Sequence, residues 1–144
     1  MSIWKFFNIS DGGLRRVVKR RTRRKASKKS IARYMEYKER SRVLVHSRLE
    51  YWNAHYGFTY KKVAIRNQKT RWGSCSKRGN LNFNYKIVLL PTLIADYIIV
   101  HELCHLREFN HKKSFWSLVG ETIPDYENCI KQLKLESKKI NSVV

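Results

Sequence analysis

The segment His101-Glu102-Leu103-Cys104-His105 sets two imidazoles four residues apart, with a carboxylate directly after the first. On a helix, positions i and i+4 stand one turn apart on one face, so both rings can reach the same cation. Position i+1 is rotated by about 100°. That keeps Glu102 off the metal but close to a water bound to it. Zinc held by three protein ligands keeps one position open and lowers the pKa of water there to about 7. A neighbouring carboxylate can take that proton and deliver it to a departing amine. The competing reading is a pair of core histidines flanking an ion-paired glutamate. The pattern occurs once and falls inside an apolar helical stretch, which favours the metal.

A third ligand is required, and His111 is the leading candidate. The spacing matches the metzincin pattern H-E-x-x-H-x-x-G-x-x-H, in which glycine breaks the helix. Here Glu108 stands at the glycine position, and Asn110, which tolerates a left-handed backbone, could make the turn instead. The only methionines are Met1 and Met35, so no methionine turn follows the histidines. Glu108, Glu121 and Asp125 are rival ligands. Cys104 is three residues from His101, although a buried inert thiol is the simpler reading. Cys75 could mask the metal as a thiolate.

These residues need elements to position them. Leu93, Ile94, Tyr97, Ile98, Val100, His101, Cys104 and His105 recur at helical steps after Pro91, which predicts a core helix. Asp96 falls in its early turns, where a negative charge suits the dipole. Ile31, Tyr34, Met35, Val45, Leu49, Trp52 and Tyr56 predict an earlier amphipathic helix of about seven turns, capped by Ser30 and stopped by Gly57. Between the two, 58–66, 71–75 and 81–86 read as three short strands, with a turn at Lys77-Arg78-Gly79-Asn80. Further helices are predicted over 112–121 and from Pro124-Asp125 onward, with a polar tail at 136–144 expected to fray. The expected fold is α+β: a small antiparallel sheet packed with the histidine-bearing helix and flanking helices.

The chain has 144 residues and a formal net charge of +20. Residues 15–29 hold ten Lys and Arg and no acid, including Arg15, Arg16, Lys19, Arg20, Arg21, Arg23, Arg24 and Lys25. Residues 1–29 are therefore expected to form a flexible basic arm, followed by one folded domain over 30–144. Such a run attracts polyanions, and without interleaved aromatics it would contact nucleic-acid phosphates rather than stack on bases. A solvated tail or a pro-segment over the cleft are other readings of the same run. Three cysteines without a CxxC pair argue against a disulfide framework and for a reducing compartment. No secretory signal or membrane-length apolar run is evident. A cytoplasmic protein without membrane contact is expected, and the oligomeric state is not readable.

Arg71-Trp72-Gly73-Ser74-Cys75, Asn82-Phe83-Asn84, Leu90-Pro91, Asp96-Tyr97, the HExxH segment, Asn110-His111 and Phe115-Trp116 occur in an order that resembles the YgjP-like metallopeptidase domain. That family is similar to the SprT-like proteins of the zincin group. The resemblance covers roughly 30–135 and leaves the basic head outside. It implies a compact zincin-like fold, zinc on His101, His105 and His111, and Glu102 as base. Zincins commonly hold an extended peptide along an edge strand, and Asn82, Phe83 and Asn84 are the candidates for that role, against plain sheet packing. Read on their own, Trp72 suggests an aromatic plug and Gly73 a close backbone approach. Arg71 would meet a surface acid or a substrate carboxylate, Phe115 and Trp116 would be core, and Tyr126 would be packed or aimed at an oxyanion.

Two functions compete. One is a zinc metallopeptidase acting on peptide or protein substrates, with the arm carrying it to nucleic acid. The other is a nucleic-acid-binding protein with a structural zinc site. Structural sites usually use four protein ligands, and only three well-spaced ones appear, so the open catalytic site is favoured.

Overall fold

The computed structural model describes residues 27–143. The basic residues 15, 16, 19–21 and 23–25 lie outside them. Helix α1 (Lys28–Tyr56) starts at a Ser27 cap whose hydroxyl accepts the Ser30 amide, so the helix begins slightly before the expected Ser30. Gly57 ends it at φ 64°, with its amide bonded back to Asn53. That left-handed conformation is the one glycine adopts without a Cβ penalty.

Three strands follow: β1 (Lys62–Arg66), β2 (Gly73–Cys75) and β3 (Asn80–Asn84). Their order is β1-β3-β2, with β3 parallel to β1 and antiparallel to β2. The sheet is therefore mixed, not antiparallel. Residues 67–72 carry the chain across to the far side rather than folding it into a hairpin, and β3 then inserts between the first two strands. The turn at Ser76 to Gly79 closes the β2–β3 hairpin, with Gly79 at φ 78°.

A 3-10 turn (Tyr85–Leu89) leads through Pro91 into α2 (Thr92–Cys104), then α3 (Lys113–Gly120) and α4 (Tyr126–Val143). Every residue of α2 from Ile94 through Cys104 is buried, as a helix apolar around its circumference must be. Phe83 and Leu81 from the sheet, Val45 and Leu49 from α1, and Phe115 and Val119 from α3 complete the core around it. Helix α4 continues to Val143 instead of fraying at 136. Ile140 is buried there, and the Ser137 hydroxyl accepts the Trp72 indole N–H at 2.8 Å.

Asp96 does more than suit a dipole. It is buried, and Arg48 of α1 grips both its carboxylate oxygens at 2.5 and 2.6 Å. The guanidinium also lies over Tyr51 and Trp52, at 4.6 and 5.5 Å from the ring centres. This two-pronged bond fixes α2 against α1 with angular precision.

Candidate metal centre

Helix α2 ends where its chemistry begins. The amide of Leu106 bonds to Leu103 and those of Arg107 and Glu108 to Cys104, so the chain tightens and leaves the helix axis. No non-glycine residue among those described has positive φ, so Asn110 does not make the turn in a left-handed conformation. The chain nonetheless swings His111 back over the helix. The Nε2 atoms of His101, His105 and His111 lie 3.0, 2.9 and 3.4 Å from one another. Three nitrogens each about 2.0–2.1 Å from a tetrahedral zinc stand about 3.3 Å apart, so the cluster has the right size for one such ion.

The protonation states agree with that geometry. His105 Nδ1 is 2.9 Å from the Glu108 carbonyl, which can only accept, so Nδ1 carries the proton and the Nε2 lone pair faces the cluster. Burial drives the His101 imidazole well below its ordinary pKa, and the two neighbouring rings push it further. Burial, then His105, lowers His111 to about 4. The rings are thus held neutral, which is the state a metal requires. Phe115 packs against all three at 4.5 to 4.9 Å between ring centres and fixes their tilt.

Glu102 is 4 % exposed and lies against β2. A Cβ at Gly73 would come within 2.6 Å of its Cγ and Oε1, so the carboxylate occupies the space a side chain would fill. Burial pushes the carboxyl up to about 8, against a smaller pull from Arg71. A dication beside it would act in the opposite direction to burial. Glu102 thus shares helix α2 with His101, while His105 caps that helix and His111 returns from the loop beyond it.

The family model for the YgjP-like metallopeptidase domain matches residues 5–136. This chain belongs to that family. The match takes in the basic head, which the motif resemblance had left outside. The crystal structure of the metallopeptidase zymogen of Pyrococcus abyssi abylysin is similar at 26% identity and a TM-score of 0.59, covering 64% of this chain and 93% of that one. No functionally curated protein matches the sequence significantly. At the level of the family, the chain is a metal-dependent peptidase with a zincin-like α+β fold.

Within this YgjP-like domain the rival ligands point elsewhere. Glu108 accepts the Ser114 hydroxyl, Glu121 meets His55 at 3.0 Å, and Asp125 accepts from Asn128. Cys104 is fully buried, and burial raises its thiol to about 12. Cys75 is likewise raised to about 12 by burial, and its thiol donates to the Ser76 carbonyl. Among the described residues the three histidines are the only cluster able to hold a metal. Tyr126 stacks on Trp116 at 5.0 Å, and Trp116 lies 6.1 Å from the His101 ring.

The edge-strand expectation for Asn82, Phe83 and Asn84 is corrected. They lie in β3, the central strand, whose two sides are both paired. Phe83 is fully buried, and the Asn84 amide donates to the carbonyls of Gln68 and Arg71. The outer strand next to Glu102 is β2. The Asn84 amide bonds to the Trp72 carbonyl, and Ser76 pairs with Asn80. Alternation along an antiparallel ladder then turns the backbone groups of Gly73 and Cys75 away from β3.

Proposed function

We propose that the chain is a zinc peptidase in which His101, His105 and His111 hold the metal and Glu102 is the general base. The convergence of three neutral imidazoles beside a buried carboxylate carries this reading. Bound there, zinc would act as a Lewis acid toward a peptide carbonyl and acidify water. Glu102 would take a proton from that water and return it to the leaving amine. His105, oriented by the Glu108 carbonyl, would keep its lone pair on the metal. An extended peptide would pair with the outward backbone groups of Gly73 and Cys75, which places β2, rather than Asn82, Phe83 and Asn84, along the substrate.

The arm residues Arg15 to Lys25 would carry the enzyme to nucleic acid through phosphate contacts. A cytoplasmic location is in keeping with three free cysteines. No described helix is long and apolar enough to cross a membrane. A structural zinc site would want a fourth protein ligand, and the described cluster has three.

The test is zinc content and peptidase activity of Glu102→Gln beside the wild type. Equal zinc, about one per chain, with activity reduced about 10²-fold or more supports a base that is not a ligand. Loss of zinc from a folded variant would make Glu102 a ligand and sink the mechanism.

A further inference from the structure

On the edge of the sheet opposite β2, helix α1 and strand β1 bound a cleft of about 270 Å³. Lys38, Arg42 and His46 line it from the helix, and Lys62 and Arg66 from the strand. The helical three stand four residues apart, which makes one row with about 6 Å between successive positions. Lys62 and Arg66 are also four apart on a strand, so they share one face. Two rows of basic side chains, four of them Lys or Arg, thus border one concave surface. As an outer strand, β1 adds unpaired backbone N–H donors along its open edge. Among the described residues the only carboxylate paired with these five is Glu39, 3.4 Å from Arg42 in an exposed pair. Such a solvated pair contributes little and leaves the field positive.

We infer that this cleft binds the phosphodiester backbone of a nucleic acid, as a site in the folded domain separate from residues 15–29. Regularly spaced cations suit a ligand whose charge repeats, and low-dielectric walls concentrate their field. The same helix leads back in sequence to the ten cations of residues 15–29. A strand of phosphates held at the cleft could therefore run along α1, whose first residues are the last of the basic run in sequence. The cleft is lined by β1, whereas Glu102, next to His101, lies against β2 at the other edge of the sheet. A bound nucleic acid would thus leave the cluster open.

The experiment uses the full chain and a short mixed-sequence DNA duplex, with affinity measured across a sodium chloride series. One variant carries Lys38→Gln, Arg42→Gln, Lys62→Gln and Arg66→Gln. Its control removes equal charge from α4 through Lys131→Gln, Lys134→Gln, Lys138→Gln and Lys139→Gln, all exposed positions. The cleft variant is expected to lower the slope of log affinity against log salt by about 0.9 for each phosphate it no longer neutralises, with the control close to wild type. At fixed salt it should bind about tenfold or more weakly than the control. Equal weakening of the two would mean diffuse attraction and overturn the site. So would an unchanged slope in the cleft variant. If wild type binds polyglutamate or phosphatidylserine vesicles as tightly as DNA, and only the cleft variant loses that binding, the cleft serves another polyanion and the inference fails. Zinc content and melting temperature report folding. Lys62→Gln with Arg66→Gln is the milder variant, with the same expected direction, should the fourfold one unfold.

Discussion

Glu102 owes its position to a side chain that is absent. The carboxylate lies where a Cβ on Gly73 would stand, 2.6 Å from that point. Gly73→Ala should therefore push the base aside without touching the imidazoles. Overpacking of this kind costs about 1–3 kcal/mol, and a shift of the base by about 1 Å can cost up to about 10²-fold in rate. The expected variant keeps its zinc and its KM while kcat falls. Unchanged kcat, or loss of metal, would show that Gly73 does not position Glu102. The sequence made His101, Glu102 and His105 legible as candidates because their spacing on a helix is itself the chemical constraint, whereas His111, on the loop beyond, was a candidate by its distance along the chain alone. It flagged a close approach at Gly73 but not what approaches. That partner comes from another element, and no local spacing encodes it. Asn84 misled for a related reason: an asparagine in a short alternating strand looks solvent-facing until its amide is seen bonded to the carbonyls of Gln68 and Arg71.

At the scale of elements, α2 is the axis of the site, and α1 holds it in register. Arg48 and Asp96 form the polar clamp between them, with Asp96 buried. Removing Arg48 leaves that carboxylate without its cation, and breaking a buried pair from one side costs about 3–5 kcal/mol. Arg48 is itself partly exposed, so Arg48→Ala should fall near the lower end, about 3 kcal/mol. The double variant Arg48→Met with Asp96→Leu should recover much of it, because neither charge then remains. Urea titrations of the three proteins check this. A double variant no more stable than Arg48→Ala would mean that packing, not the unpaired charge, sets the cost. The helices were readable from their apolar period, including the stop at Gly57, where only left-handed backbone continues the chain. The strand order was not. With strands this short, alternation identifies a strand but not its neighbour, and the loop over 67–72 could equally have closed a hairpin. The extent of α4 was hidden because its last turns are mostly polar and gain their hold from Ile140 and from Ser137 on Trp72.

In the whole molecule, the core and the metal cluster are neighbours but not dependants. Phe83, Leu81, Ile94, Ile99, Leu103 and Val119 are fully buried without reference to a cation, and α2 is held by them and by Arg48. The three imidazoles, in contrast, converge on a point where a dication would satisfy all three lone pairs at once. Metal binding to the folded form alone stabilises it by mass action, by about 4 kcal/mol when free metal is about a thousand times Kd. For a domain of this size that is a change in Tm on the order of 10 °C. A chelator should lower the calorimetric Tm by that order while leaving one cooperative transition with near-native enthalpy. The same treatment of a variant with His101, His105 and His111 all changed to Ala should leave Tm unmoved. If the chelated wild type lost its transition altogether, the ion would be a structural staple, and the open site needed for hydrolysis would lose its basis. If Tm did not respond in either protein, the cluster would not be a metal site in the folded chain. A shift confined to the wild type ties the ion to these three side chains and leaves the scaffold standing without it, as a site that exchanges ligands during catalysis requires.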